Sequence, residues 1–172
     1  MDATNTPPKP SLGFLTVLDD PEHGLFGGYL LLNLAGRPLE FYCTAPIKPN
    51  RAQQILYGPT LESFLYGEQI GATLLEQAKA EPLVVCTDCP SALAVRPLVG
   101  TPVALVLPPE TADDARLRTF RVGRNTLAVA AESEADSPLI TGRLAELSES
   151  FDLAEPFGRI REAIEEAQQA AR

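Results

Sequence analysis

The rhythm of apolar and polar positions changes several times along the chain, and each change predicts a different element. "GFLTVLD", starting at Gly13, is an apolar run that predicts a first strand. "GGYLLLNLAGRPLEFYC" predicts a hairpin: an apolar run, a turn at Ala35-Gly36, then alternation. Leu39, Phe41 and Cys43 share one face there, and Glu40 and Tyr42 the other. From about Arg51 the pattern turns helical, is broken at Gly58-Pro59 and resumes behind a Thr60 cap. On this longer helix, α-helical spacing gathers Leu61, Phe64, Leu65, Glu68, Gly71, Ala72 and Leu75 on one face. Gly67 and Gly71 leave that side bare enough for another backbone to come close.

Two short apolar runs follow, "PLVVCTD" and "TPVALVLP", separated by "PSALAVRPL", which predicts a short helix ended by Pro97. Continuous apolar strands joined by helices predict parallel pairing with both faces covered. "LRTFRVGRNTLAVAAES" predicts another hairpin turning near Gly123-Arg124-Asn125, and the chain is helical again from Leu139. In the last segment Leu153, Phe157, Ile160, Ile164 and Ala167 recur in 4-3-4-3 steps, an amphipathic helix over about 153-171. The expected fold class is α/β, a mixed sheet of three antiparallel strands and then helix-linked parallel strands, with a small C-terminal hairpin and helix extension. Residues 1-11, rich in Pro and Thr, are expected to form a loose tail, and 12-172 a single domain.

Composition narrows the function. Twenty-three acidic residues against 14 Lys and Arg give a formal net charge of -9, which counts against nucleic acid as a partner. Arg116, Arg118, Arg121 and Arg124 crowd one predicted strand and its turn, where a solvated strand edge is the expectation. No apolar stretch is long enough to span a membrane, and "MDATNTPPKPS" lacks the pattern of a secretion signal, so a cytoplasmic protein is expected.

The order strand, strand, strand, helix, strand, helix, strand resembles the ribonuclease H-like superfamily, over roughly residues 13 to 107. The local residues that carry the resemblance are "VLDD", offering Asp19 or Asp20 on the first strand, the Gly-rich "GLFGGYLLL", and "VVCTDC", which places Asp88 at the end of the fourth strand. The resemblance implies a glutamate in the first turns of the first helix, but Gln53 stands there. It also implies a divalent-metal site, Mg²⁺ or Mn²⁺, on Asp20 and Asp88, with Glu62 or Glu68 as a replacement third carboxylate.

Losing the bridging carboxylate at Gln53 weakens such a site. The leading expectation is therefore a non-catalytic protein interaction or assembly module with no cofactor, contacting a protein partner or itself through the C-terminal helix. The alternative is a metal-dependent nuclease or phosphotransfer enzyme with Asp20, Glu68 and Asp88 as its catalytic carboxylates. A second alternative is thiol redox chemistry at Cys86 and Cys89, where a helix N-terminus favours a thiolate while Asp88 between the thiols opposes it. A zinc site combining Cys43, Cys86, Cys89 and His23 is disfavoured. Two intervening strands put Cys43 roughly 14 Å from Cys86. His23 has no neighbouring nucleophile motif, and "GLFGG" is expected to be a plain glycine turn.

Overall fold

The protein is described by a computed structural model, which covers residues 9-171. The expected tail lies largely outside the described residues, and the first strand already begins at Ser11. Seven strands form one mixed sheet in the order β3-β2-β1-β4-β5-β7-β6. β1 (Ser11–Asp20) pairs antiparallel with β2 (Gly24–Asn33), which pairs antiparallel with β3 (Pro38–Cys43). β4 (Val85–Thr87) lies parallel to β1 on its other side, and β5 (Val103–Leu107) parallel to β4. This is the ribonuclease H-like order expected from the apolar runs. The hairpin β6 (Leu117–Val122) and β7 (Asn125–Ala130) continues the same sheet, with β7 antiparallel to β5. It covers the β5 edge and leaves β6, with its arginines, as the new outer strand.

Successive strand residues face opposite sides, so the sheet feeds two cores. Leu12, Phe14, Cys86, Ala104, Leu127 and their neighbours pack on one face under α4 (Asp136–Arg143) and α5 (Glu155–Ala170). Leu15, Val17, Tyr29, Val85 and Leu105 pack on the other, under the segment from Leu61 to Gln77 and the 3₁₀ helix Pro90–Leu98. Phe157, Ile160 and Ile164, the heart of the C-terminal stripe, are buried against this sheet, with Phe14 and Phe157 meeting edge to face. The surface on which self-association was expected is thus spent inside the fold.

The segment Leu61 to Gln77 departs from the expected α-helix. Between α2 (Leu61–Ser63) and α3 (Ala72–Gln77) the residues Phe64–Gly71 form a π-helix. Its i→i+5 bonding widens the turn, so the buried face runs Leu65, Gly67, Ile70, Gly71 and Leu74. Glu68 is carried out to solvent instead of onto the apolar side. Gly67 does provide the close approach: a Cβ there would lie 2.7 Å from that of Ala94.

α1 (Arg51–Tyr57) opens on a capping box. The Asn50 side chain accepts from Gln53 N at 2.8 Å, and Gln53 Oε1 accepts from Asn50 N at 3.0 Å. Gln53 is therefore occupied in starting its own helix, which has no buried residue.

Candidate functional site at the carboxyl ends of β1 and β4

β1 and β4 are parallel neighbours whose connections leave in opposite directions, β1 to β2 on one side and β4 towards β5 on the other. In open α/β sheets such a switch point opens a crevice at the carboxyl ends of the strands, where ligands bind. Leu15 pairs with Thr87, so the next residues, Thr16 and Asp88, come side by side on the face that α5 covers.

Thr16 Oγ1 donates to Asp88 Oδ1 at 2.6 Å. Arg161 on α5 donates from Nη2 to Asp88 Oδ2, and to Thr16 Oγ1 at 3.5 Å. Thr16 is fully buried, the Asp88 side chain is 21% exposed and that of Arg161 is 43% exposed. A carboxylate is thus held at the carboxyl ends of β1 and β4 with an arginine over it, partly open to solvent.

Gly28 makes this geometry possible. It is Thr16's partner in β2, and a Cβ on it would lie 2.4 Å from Ile160 Cγ2 and 3.0 Å from Ile164 Cδ1. With hydrogen there instead, α5 drops onto the sheet and sets Arg161, the next residue, beside β1. On the other face Gly27 admits Ile70, whose Cγ2 would stand 2.2 Å from a Cβ. The "GG" of "GLFGG" is accordingly not a glycine turn but the inside of β2, where helical segments close on both faces. Arg161 and Thr16 were missed in the sequence. Arg161 looks like one more polar position on an amphipathic helix, and the available signal was the glycine pair inside an apolar strand.

Asp20 stands four residues beyond Thr16 on the same strand, roughly 13 Å farther along at strand rise. Its Oδ1 accepts from Glu22 N at 2.8 Å and His23 N at 3.2 Å, and Oδ2 lies 3.4 Å from His23 Nδ1. Those backbone N–H groups, chiefly that of Glu22, hold its carboxyl below the usual carboxylate range. Asp20 serves its own turn, and Asp19, Glu62 and Glu68 are exposed, so of the predicted carboxylates Asp88 is the one held beside Thr16 and Arg161. Among the described residues no three His, Cys, Asp or Glu side chains gather as a metal site would require. This arrangement does not fit a pair of divalent ions.

The thiols are placed against redox work. Cys86 packs in the core under α5 and Cys89 against the opposite core, so they do not face one another. Burial pushes the Cys86 thiol up to about 12. Burial, and then the adjacent Asp88, push Cys89 to about 11. Cys89 instead donates to Asp88 Oδ1 at 3.4 Å, a further link in the crevice floor. Cys43 is exposed at the end of β3, two residues out of register with the Cys86 row, and takes no part.

No family model and no curated protein matches the chain. Among solved structures it is similar to Endonuclease V of Ciona intestinalis, in a substituted form in complex with a 23mer DNA containing an inosine followed by a ribo-adenosine. The identity is 13%, with 91% of this chain and 86% of that one covered, at a TM-score of 0.49. A second structure of the same enzyme, with a 24mer DNA, is similar at 13% identity over 92% and 87% of the two chains, with a TM-score of 0.46.

Both similar structures are of an endonuclease in complex with DNA, whereas a non-catalytic interaction module without nucleic acid or cofactor was expected. Among the described residues no helix is long and apolar enough to cross a membrane.

Proposed function

We propose that this chain is a member of the ribonuclease H-like superfamily that acts on nucleic acid, and that its phosphodiester contact is made by Arg161 at the mouth of β1 and β4. The observation that carries the reading is the Asp88–Arg161–Thr16 arrangement at the switch point of a sheet with this strand order. A guanidinium has five N–H donors in a rigid fork, and Asp88 and Thr16 engage only Nη2. Among the described residues the remaining donors have no acceptor and can take a phosphate oxygen, while Asp88 fixes the side chain and lowers the entropy lost on binding. Thr16 and Cys89 both donate to Oδ1 and hold that carboxylate in place.

The net charge of -9 sets the scale of this interaction. A chain so acidic neutralises few phosphates, so a single strand lying in the crevice suits it better than a duplex wrapped over a wide face. Binding of a fluorescent single-stranded oligonucleotide, followed by anisotropy at low and moderate salt, tests the reading. Arg161→Ala is expected to weaken binding and to remove about one phosphate's worth of salt dependence, a slope change of roughly 0.7. Undiminished binding by the variant would refute it.

A second reading, strand cleavage, is favoured by Asp88 itself, a carboxylate at the carboxyl end of a central parallel strand. It is tested in the same sample by incubating the strand with the protein and resolving it by length. Shortened strands with the wild type and intact strands with Asp88→Asn would establish it.

A further inference from the structure

The turn between β6 and β7 stands at the same sheet edge as Arg161. β5 runs parallel to β4 and β1, Leu107 at its carboxyl end pairs with Thr126 in β7, and Gly123-Arg124 is the turn just before β7. That turn is fastened to the chain entering α5. Arg124 N donates to Glu149 O at 3.3 Å, while the Asn125 side chain donates to Phe151 O at 2.8 Å and accepts from Leu153 N at 2.9 Å. Arg124 is exposed, and among the described residues its guanidinium has no acceptor.

The first turns of α5 span the interval between the two arginines. At α-helical spacing Ala154, Gly158 and Arg161 follow one another along one flank, and the helix rises about 9 Å from Glu155 to Arg161. Ala154 and Gly158 are both exposed, and a Cβ on Gly158 would meet nothing within 4 Å. Packing therefore does not require this glycine, although a glycine in the interior of an exposed helix face lowers stability relative to alanine. Nearby carboxylates are engaged elsewhere: Glu155 holds Arg159 at 2.6 and 2.7 Å, and Asp152 Oδ1 accepts from Ala154 N at 3.0 Å. Glu165 lies one turn past Arg161, on the side away from Arg124.

We propose that this flank of α5 is the track of the bound single strand: one phosphate lies on Arg161, the sugar-phosphate backbone passes over Gly158 and Ala154, and a later phosphate lies on Arg124. The proposal rests on the strand-binding reading of Arg161 and adds the direction in which the strand leaves it. A bare flank with a cation at each end suits a repeating anionic backbone, and it reads no base. The absent side chain at Gly158 lets that backbone lie against the helix. Arg121 provides a comparison within the same hairpin: it is exposed too, but it points to the opposite face of β6 from Phe120, which packs on the α5 side of the sheet.

The test is anisotropy of a fluorescein-labelled oligothymidylate of about ten nucleotides with the full chain at several salt concentrations. Arg124→Ala is expected to bind several-fold more weakly and to lower the salt slope by roughly 0.7, one phosphate's worth. Arg121→Ala removes the same charge from the other face and is expected to stay within about twofold of the wild type. Gly158→Glu separates the track from a structural effect: glutamate forms helix better than glycine, so the thermal midpoint should rise while binding falls several-fold. Gly158→Ala should share the higher midpoint and keep the wild-type affinity. If Arg161→Ala weakens binding while Arg124→Ala and Gly158→Glu bind like the wild type, the track is overturned and the Arg161 contact stands. Equal losses in Arg121→Ala and Arg124→Ala would also overturn it, because overall charge would then account for both. If the wild type binds no strand, the track and the Arg161 contact fall together.

Discussion

Arg161 of α5 and Asp88 of the loop after β4, 73 residues apart in sequence, form an ion pair at the carboxyl ends of β1 and β4. Asp88 both orients the guanidinium and competes with any phosphate for it, so substitutions at the two residues should move strand binding in opposite directions. Arg161→Ala removes the contact. Asp88→Asn removes the competing negative charge, keeps an oxygen for the Thr16 hydroxyl, and should tighten binding several-fold at low salt. Because the Arg161 side chain is well exposed, the pair itself adds little stability. A double-mutant cycle by urea unfolding should give a coupling of about 0.5 to 1 kcal/mol. Weaker strand binding by Asp88→Asn would show that the carboxylate contributes more by orienting Arg161 than it takes away by competing.

The sheet was legible because its signals are local. Apolar runs, the turn at Ala35-Gly36 and the helix between β3 and β4 suffice to order five strands. The site was legible only at Asp88, whose strand-end position follows from the run "PLVVCTD". Arg161 was not, because its role depends on α5 crossing the sheet at Gly28, a contact between segments more than a hundred residues apart. Glu68 was misplaced for a different reason: a π-helix shifts the phase of everything inside it, and no sequence period announces one. Asp20 and Gln53 were read as site positions, while their side chains are used for backbone N–H groups within three residues of themselves.

If Gly28 sets the height of α5 over the sheet, Gly28→Ala should cost stability and displace Arg161 together. A Cβ 2.4 Å from Ile160 Cγ2 cannot be absorbed by rotating a β-branched side chain inside a packed core. Overpacking of this kind costs about 1 to 3 kcal/mol. Urea denaturation should show that loss, and strand binding should weaken although no residue of the crevice has changed. Full stability in Gly28→Ala would mean that α5 can lift from the sheet without loss.

The three thiols should separate by rate. Cys43 is exposed, Cys86 is fully buried with its thiol near 12, and Cys89 is held near 11. Iodoacetamide at pH 8, followed by intact-mass spectrometry, should add one label quickly and two slowly, the slow pair at the rate of unfolding for Cys86. The same shifts set a pH dependence. The raised folded-state values mean that the fold prefers both thiols protonated. Their contribution is fully present below the unfolded value near 9, and it is lost as pH climbs from 9 through 11 to 12. Stability should therefore fall across that alkaline window, and replacing Cys86 by alanine should flatten the fall. Rapid labelling of two thiols in the native protein would mean that Cys89 is open to reagent through the crevice.

Asn125 is the joint between the β6–β7 hairpin and the chain leading into α5. Its side chain is buried and makes three bonds, donating to Phe151 O at 2.8 Å and Val122 O at 3.3 Å and accepting from Leu153 N at 2.9 Å. Asn125→Ala leaves two carbonyls and one buried N–H without those partners. Two to three such losses at about 1 kcal/mol each predict a destabilisation of roughly 2 to 3 kcal/mol, large for a single residue beside a turn. Because the Phe151–Leu153 segment leads directly into α5, the loss should extend to the helix that carries Arg161. Native-state hydrogen exchange should then show faster opening of α5 amides in the variant, with β1 and β2 far less affected. If the amides of α5 and β1 accelerated together, the helix and the central strands would be a single cooperative unit, and Asn125 would act on the whole fold rather than on the seating of α5.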